Sequence, residues 1–215
     1  MRFTLPILAA AFVALAGGAQ ASTLSFGFDG STDGWTVVDR IGDTNPGNVL
    51  RPQATGGVTG GYLEIDDNTG GFMELIGPSA LNGDLSRFLG GNISFFVADL
   101  TGNARPRFAA RFGTVTISGG GQTVSADAFT GTLTSDFQEA GIRLSAADFG
   151  TTNAVLASIL SDVSEFRIST ESQIGVVETV AIDNFQISAV PLPAGGLLLL
   201  TGLAGLAVAR RRKTS

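Results

Sequence analysis

The sequence contains no cysteine and no histidine, and each absence excludes a class of chemistry. Without cysteine there are no disulfides, thiol nucleophiles or thiolate metal sites, although a domain of this size can build its core without disulfides. Without histidine the chain lacks the usual general base near neutral pH and the commonest zinc ligand. Hydrolysis by a Ser/His or Cys/His pair is therefore excluded, and any catalysis would depend on carboxylates.

Basic residues are scarce in the middle of the chain, where lysine is absent. The 215 residues include 13 Lys and Arg against 19 Asp and Glu. Arg2 and residues 210–213 supply five of the basic residues, whereas every acid lies between Asp29 and Asp183. Because such an acidic surface repels phosphates, we expect no nucleic-acid partner. Plain solvation of a secreted domain accounts for the charge, with salty or calcium-bearing surroundings as the alternative.

Residues 1–21 have the features of a cleavable signal peptide. Arg2 precedes a short apolar stretch, and Ala19 and Ala21 form the small-x-small pattern that signal peptidase accepts. The apolar stretch is too short to cross a bilayer comfortably as a permanent anchor. We therefore expect an N-terminal signal helix, cleavage by signal peptidase, and a mature chain beginning at Ser22.

The C-terminal residues 190–215 carry a second membrane signal. Residues 192–209 are 18 consecutive uncharged residues, about the minimum for a helix that spans a bilayer. A basic stop-transfer cluster follows, and the positive-inside rule keeps it cytoplasmic, which leaves the middle domain on the far side of the membrane. Pro191 and Pro193 hold the junction extended, in a form that a protease can thread. The cluster consists of Arg210, Arg211, Arg212 and Lys213.

The junction itself matches a known sorting motif, formed by Val190, Pro191, Leu192, Pro193 and Ala194. Followed by a Gly/Leu-rich span and a terminal Arg cluster, it resembles the VPLPA variety of the PEP-CTERM tag. The resemblance implies recognition by an exosortase-type membrane enzyme of a Gram-negative bacterium. It further implies transient anchoring in the inner membrane, cleavage near the proline motif, and delivery to the cell surface or extracellular matrix, often alongside exopolysaccharide. An ordinary single-pass anchor is the alternative.

The pattern of residues 22–189 predicts an all-β domain, a jelly-roll-like antiparallel β-sandwich. Short alternating or β-branched runs are separated by Gly-, Asn- and Asp-rich turns. One short helix, over residues 154–160, is expected to cap one end of the sandwich. The predicted strands lie near residues 24–28, 62–66, 92–100, 108–112, 114–118, 122–126, 137–144, 164–169 and 180–188.

Two segments of this domain resemble the laminin IV (laminin B) family. Phe28-Asp29-Gly30 followed by Asp33-Gly34-Trp35-Thr36 resembles its opening, and the segment from Gly61-Tyr62-Leu63 to Gly90-Gly91-Asn92-Ile93-Ser94-Phe95 resembles the continuation. The similarity covers roughly residues 26–100. It implies a jelly-roll sandwich, the architecture shared with many carbohydrate-binding modules.

Four residues are candidates for contact with a ligand. Trp35 and Tyr62 are the only residues of their kinds, and an exposed aromatic ring stacks on a sugar, whereas a buried ring fills the core. For Trp35 the core is the favoured alternative. Asp66 and Asp67 precede Asn68 in a polar loop that could bind a polysaccharide or a cation, although a plain turn requires the same residue types.

Asp29 and Asp183 are candidate ligands of a structural calcium ion. Asp29 ends the first predicted strand and Asp183 lies in the last, and the ends of a jelly-roll chain meet at one edge. Carboxylate oxygens suit a hard cation, which needs six to eight ligands. The alternative is that both acids serve turns and strand edges.

Taken together, these patterns predict a non-enzymatic surface module that associates with extracellular polysaccharide. A self-associating structural protein of the surface or biofilm is the first alternative. A carboxylate-dependent glycosidase is the second, because paired acids can hydrolyse glycosides, but no motif singles out one pair among the 19 acids.

Overall fold

The computed structural model describes residues 22–39, 49–68, 71–101, 112–172 and 177–190, which lie within one compact unit. Eleven strands and one α-helix are assigned in these ranges. Two single 3₁₀ turns, Ser79–Leu81 and Ser86–Phe88, complete the regular structure. The elements are β1 Thr23–Phe26, β2 Thr36–Asp39, β3 Val49–Gln53, β4 Tyr62–Asp67, β5 Met73–Ile76, β6 Asn92–Asp99, β7 Thr114–Gly119, β8 Gln122–Asp127, β9 Gln138–Arg143, α1 Asn153–Ser161, β10 Val163–Ser169 and β11 Glu178–Ser188.

The strands form two antiparallel sheets, as predicted for a β-sandwich. Sheet A has the order β3-β4-β11-β6-β9, and β1 also pairs with β11. Sheet B has the order β2-β5-β10-β7-β8. The 11-residue β11 is the centre of sheet A, because its first half pairs with β4, its second half with β1, and its other side with β6.

The core between the sheets is rich in aromatic rings. Trp35 is 1% exposed and lies edge-on to Phe185, with ring centroids 5.0 Å apart. Phe26, Phe28 and Phe166 surround the same indole at centroid distances of 5.8, 6.3 and 6.3 Å. Edge-to-face pairs of this kind add to the free energy gained from burial. Trp35 therefore fills the core, and its ring faces are closed to a sugar.

The helix α1 packs against β7 and β8 of sheet B. Thr152 caps its N-terminus, with the Thr152 hydroxyl accepting from the Val155 N–H at 3.3 Å. Leu156, Ile159 and Leu160 form its buried face. The helix predicted over residues 154–160 is thus present and longer by one residue at each end.

Several sequence predictions fall outside the described residues. These are the signal peptide with Ala19 and Ala21, the sorting motif after Val190, the spanning segment 192–209, and the basic residues 210–213. Most of the predicted strand 108–112 is also outside, and only Phe112 is described, as a buried turn residue. Within the described ranges, no helix is long and apolar enough to span a membrane.

Candidate functional site

A bulge in β11 marks the place where sheet A changes partners. The register between β11 and β6 shifts between Asp183 and Gln186, and Asn184 has a left-handed backbone with φ of 49°. Such a conformation is uncommon outside glycine, and asparagine is among the residues that tolerate it. The bulge lies between the part of β11 that pairs with β4 and the part that pairs with β1. Asp183 sits at this junction and is fully buried.

The buried Asp183 carboxylate is held by backbone donors. Its Oδ2 accepts from the Val58 N–H at 2.7 Å, and its Oδ1 accepts from the Asn184 N–H at 2.6 Å. Burial raises the pKa of Asp183, the hydrogen bonds from these backbone groups oppose that rise, and the charge of Asp29 adds to it. The carboxylate thus anchors the loop between β3 and β4 onto the central strand.

Asp29 holds the same loop from the other side. Its Oδ1 accepts from the Gly61 N–H at 2.7 Å. A Cβ on Gly60, whose φ is +75°, would lie 2.0 Å from that Oδ1, so only glycine lets the loop approach this closely. The structure therefore brings together the two acids that were predicted as calcium ligands, around residues 57–61. We call this arrangement the loop anchor.

The loop anchor offers a cation two carboxylates, each already engaged by N–H groups. A carboxylate has lone pairs for more than one partner, so these bonds leave it able to bind a metal. Two acids alone fall short of the six to eight oxygens that calcium takes, and backbone carbonyls or water would have to supply the rest. Among the described residues, no group of three or more Asp, Glu, His or Cys is arranged to hold a metal.

Three partly exposed aromatic side chains lie on the outer side of sheet A, and we call them the outer aromatic face: Tyr62, Phe96 and Phe137. Tyr62 and Phe137 meet edge-on with centroids 5.7 Å apart. Ala98 and Ala181 pair across β6 and β11 in the neighbouring row and are fully buried. Small side chains thus occupy the row next to Phe96 in the two central strands. Phe96 and Phe137 were not singled out from the sequence.

Polar side chains border the outer aromatic face along β3 and β4. Arg51 forms ion pairs with Glu64, at 3.0 Å, and with Asp66. Gln53 Nε2 donates to Glu64 at 3.2 Å. The Thr179 hydroxyl donates to Asp66 at 2.9 Å, so the predicted ligand contact Asp66 is a largely buried part of this network. Burial, followed by the charge of Glu64, raises the pKa of Tyr62, which therefore keeps its phenolic proton at neutral pH.

A polar cleft of about 460 Å³ continues the outer aromatic face at its β9 side. Phe96 pairs in register with Glu139, which is one wall of the cleft. Gly141 and Ser94 lie opposite each other in the lining, and Arg143 provides a cation. Hydroxyl, carboxylate and guanidinium groups beside aromatic rings are the combination that recognises a polyhydroxylated ligand.

Asp67, the remaining predicted ligand residue, points the opposite way. It follows Leu63 and Ile65 in the inner row of β4 and is fully buried. Its side chain is therefore removed from any ligand on the outer surface. Sequence analysis placed Asp66 and Asp67 in a polar loop between two strands, but both belong to β4 and alternate between its faces.

Comparison with known proteins shows the fold alone. No protein-family model and no curated protein matches the chain. Among solved structures, the L4b domain of human laminin alpha-2 aligns with TM-score 0.51 and 11% identity, over 73% of this chain and 96% of that domain. An exo-beta-agarase aligns with TM-score 0.52 and 14% identity, over 78% of this chain and 25% of the enzyme. A family 11 carbohydrate-binding module from Clostridium thermocellum aligns with TM-score 0.49 and 16% identity, over 81% and 99%.

Proposed function

We propose that this protein is an exported, non-enzymatic surface module that binds extracellular polysaccharide across the outer aromatic face and the adjoining polar cleft. The observation that carries the proposal is the group of partly exposed rings on the outer side of sheet A, Tyr62, Phe96 and Phe137, two of which meet edge-on. A sugar ring presents apolar C–H groups to aromatic faces and hydroxyls to the polar groups around them. The fold shared with a laminin domain and with part of an agarase is compatible with this role.

Binding to soluble polysaccharides tests the proposal directly. The domain of residues 22–190 is titrated with agar-derived oligosaccharides and with the exopolysaccharide of the native cell, using calorimetry. Replacing Tyr62 by alanine removes about 1 to 2 kcal/mol of contact, so the affinity should fall about tenfold. Tyr62→Phe keeps the ring and should bind nearly as the wild type does. Val38→Ala removes an exposed apolar side chain from sheet B and is the matched control.

Two results would reject polysaccharide binding. One is the absence of affinity for every polysaccharide, combined with concentration-dependent association of the protein, which is the expectation for a self-associating structural protein. The other is an affinity that is unchanged in Tyr62→Ala.

Pro52 lies in the edge strand β3, where it removes a donor and disfavours growth of sheet A by edge pairing. We therefore favour the polysaccharide over a second copy of the chain.

A glycosidase activity is less well supported by the arrangement of acids. Asp67 and Glu171 are fully buried, so a substrate does not reach them. Glu64, on the outer side of β4, is engaged by Arg51 and Gln53, which favours a fixed carboxylate over one that exchanges protons with a sugar. Release of sugar from any of the tested polysaccharides would overturn the non-enzymatic assignment.

The proposed route to the surface comes from the two ends of the sequence. Signal peptidase would cut after Ala21, and an exosortase-type enzyme would cut near Pro191 and Pro193 while residues 192–209 hold the chain in the inner membrane. Mass spectrometry of the protein from its native cell tests both steps. A mature chain beginning at Ser22 and ending near the proline motif is the expected result. A full-length chain in the cytosol would contradict the route.

The proposal also includes a calcium ion at the loop anchor. Its support is that Asp29 and Asp183, from opposite ends of the domain, hold the same loop. A bound cation would join β1, β11 and residues 57–61 into one unit. Calcium should raise the melting temperature of the wild type after EDTA treatment and leave that of Asp29→Asn/Asp183→Asn unchanged. An equal response in both proteins, or no response in the wild type, would remove calcium from this position.

A further inference from the structure

The inner rows of sheet A end in acids at the edge of the core. Asp67 follows Leu63 and Ile65 on the inner side of β4, and Glu178 precedes Val180 on the inner side of β11. The two acids are paired in register across the strands. Asp67 is fully buried and Glu178 is 3% exposed. Two carboxyl groups therefore occupy core-facing positions where the pattern calls for apolar side chains.

Sheet B adds a third buried acid to the same place. Glu171 follows β10, and it is also fully buried. Its Oε2 accepts from the N–H of Met73 in β5 at 3.4 Å, so its backbone and this oxygen belong to sheet B. The charges of Glu178 and Asp67 act on Glu171, so its side chain lies close to these two acids of sheet A. We call Asp67, Glu171 and Glu178 the carboxyl cluster.

Hydrogen bonding distinguishes the three members of the carboxyl cluster. Glu178 accepts from the N–H of Ser172 at 2.5 Å and also from the Ser172 hydroxyl. Glu171 Oε1, in contrast, is buried and accepts no hydrogen bond. An unpaired carboxylate oxygen in the interior is strongly unfavourable. A proton on Glu171 removes this problem, because an O–H can donate to the neighbouring Asp67 carboxylate.

The charged groups around the carboxyl cluster are mostly acids. Asp39 lies on β2 and accepts from the Phe72 N–H, and Asp99 ends β6 and accepts from the Thr101 N–H. Two described arginines, Arg51 on β3 and Arg167 on β10, are engaged in other ion pairs. Arg51 pairs with Glu64 and Asp66 on the outer side of sheet A, and Arg167 pairs with Glu74 and Glu165 on the outer side of sheet B. These ion pairs are 3.0 Å for Arg51–Glu64, 3.0 Å for Arg167–Glu74 and 3.3 Å for Arg167–Glu165.

Burial and the acidic surroundings act on Glu171 in the same direction. Burial is the largest cause, followed by the charges of Glu178 and Asp67, and together they raise the pKa of Glu171 to about 8. A hydrogen bond to Asp67 raises it further, because that bond requires the protonated form. The N–H of Met73 opposes the rise.

We propose that Glu171 is a protonated acid at neutral pH that donates to the Asp67 carboxylate, so that one proton joins sheet B to sheet A and its loss loosens this end of the sandwich. A metal is a poorer occupant, because no group of three or more acids among the described residues is arranged to hold one. A divalent cation such as calcium would need several more oxygens than the described residues supply. The hydrogen bond between Glu171 and Asp67 therefore depends on pH. It is present in acid and is lost in alkali.

The sign of the pH effect follows from the raised pKa. An acid that binds its proton more tightly in the folded state stabilises that state fully below its ordinary pKa of 4.5. This stabilisation is lost as the pH rises toward about 8. The unfolding equilibrium constant of the wild type should therefore rise by up to about tenfold per pH unit in this window.

Chemical denaturation of the protein in EDTA, between pH 5 and pH 9, tests whether the Glu171–Asp67 hydrogen bond makes the stability depend on pH. Glu171→Gln keeps a donor toward Asp67 and carries no titrating proton, so its midpoint should change much less with pH than that of the wild type. Asp99→Asn removes a buried acid at the same end of the sandwich and should keep the wild-type pH dependence. An equal pH dependence in Glu171→Gln and the wild type would reject the proposal.

Infrared spectroscopy provides a readout that does not depend on stability. The wild type at neutral pH should show the C=O band of a protonated carboxylic acid, and this band should be absent in Glu171→Gln and disappear from the wild type as the pH passes about 8. Hydrogen exchange at the Met73 and Ser172 amides, corrected for the intrinsic pH dependence, should accelerate over the same interval. A wild type without the band at neutral pH would overturn the assignment, even if Glu171→Gln failed to fold.

Discussion

The loop anchor and the carboxyl cluster are two ways of burying acids in the same sandwich. Asp183 is surrounded by N–H donors, which stabilise its charge and tie a loop to the central strand. Glu171 has one such donor and faces two further acids, which destabilise its charge. Both groups are fully buried. The comparison shows that burial alone does not decide whether an acid strengthens a fold, because its neighbours determine whether the charged or the neutral form is retained.

Removing the acid from the loop anchor should produce the largest loss. Asp183→Ala leaves the Val58 and Asn184 N–H groups without their acceptor inside the protein, so we expect the free energy of unfolding to fall by about 3 kcal/mol. Chemical denaturation at pH 7 in EDTA measures the change. Asp183→Asn keeps one carbonyl acceptor and should lose less. If the two variants were equally stable, hydrogen bonding would not be the reason for the acid.

Replacing Glu171 in the carboxyl cluster should raise the free energy of unfolding, whereas replacing Asp183 should lower it. At pH 8 and above, Glu171 must lose its proton in the wild type, and the resulting charge faces Asp67 and Glu178. Glu171→Gln avoids this charge, and we expect a gain of about 2 kcal/mol in the free energy of unfolding. At pH 5 the gain should vanish, because the wild-type acid is then neutral. If Glu171→Gln were less stable than the wild type at both pH values, the charge of Glu171 would not be destabilising, and the two sites would not differ as we propose.

The smallest effect on stability concerns Gly60, whose backbone lies close to the Asp29 carboxylate in the loop anchor. Gly60 and Gly121 have nearly the same φ, +75° and +74°, but only at Gly60 would a Cβ clash, with the Asp29 carboxylate. Replacing either residue by alanine costs about 1 kcal/mol for the left-handed backbone. Gly60→Ala should lose about 1 kcal/mol more, because it displaces Asp29 from the Gly61 N–H. Melting curves of the two variants measure this difference. Equal losses would show that the short distance between Gly60 and Asp29 does not contribute to stability.

Much of the fold could be predicted because apolar and polar residues alternate along most of the strands. Residues 62–66, 92–100 and 164–169 were predicted as strands and correspond to β4, β6 and β10. The strands β2, β3 and β5 were missed. β2 (TVVD) and β5 (MELI) do not alternate strictly between apolar and polar residues. β3 contains Pro52, which is unusual in a strand and tolerated here at the sheet edge.

The sites could be predicted only in part, because they depend on contacts between distant segments. Asp29 and Asp183 were paired from the expectation that the chain ends meet, and the structure places them around one loop. Glu171 gave no local signal, since its neighbours in the cluster come from two other strands. Phe96 and Phe137 resemble the core phenylalanines in sequence. Only the register of β6, which pairs Phe96 with Asp183 and Glu139, places Phe96 on the outer side of sheet A. The ring contact with Tyr62 places Phe137 beside it.

The position of β11 would have a mechanical consequence if the protein were held by its C-terminus, as we propose. The strand is the last in the domain, yet it is central in sheet A and pairs with three others, and the Ala189 N–H also donates to the Ser22 carbonyl at 2.8 Å. A pull on the chain after Val190 would therefore load hydrogen bonds on both sides of β11 together, in shear. Such an attachment resists flow better than a terminal strand at a sheet edge, which would peel away one bond at a time.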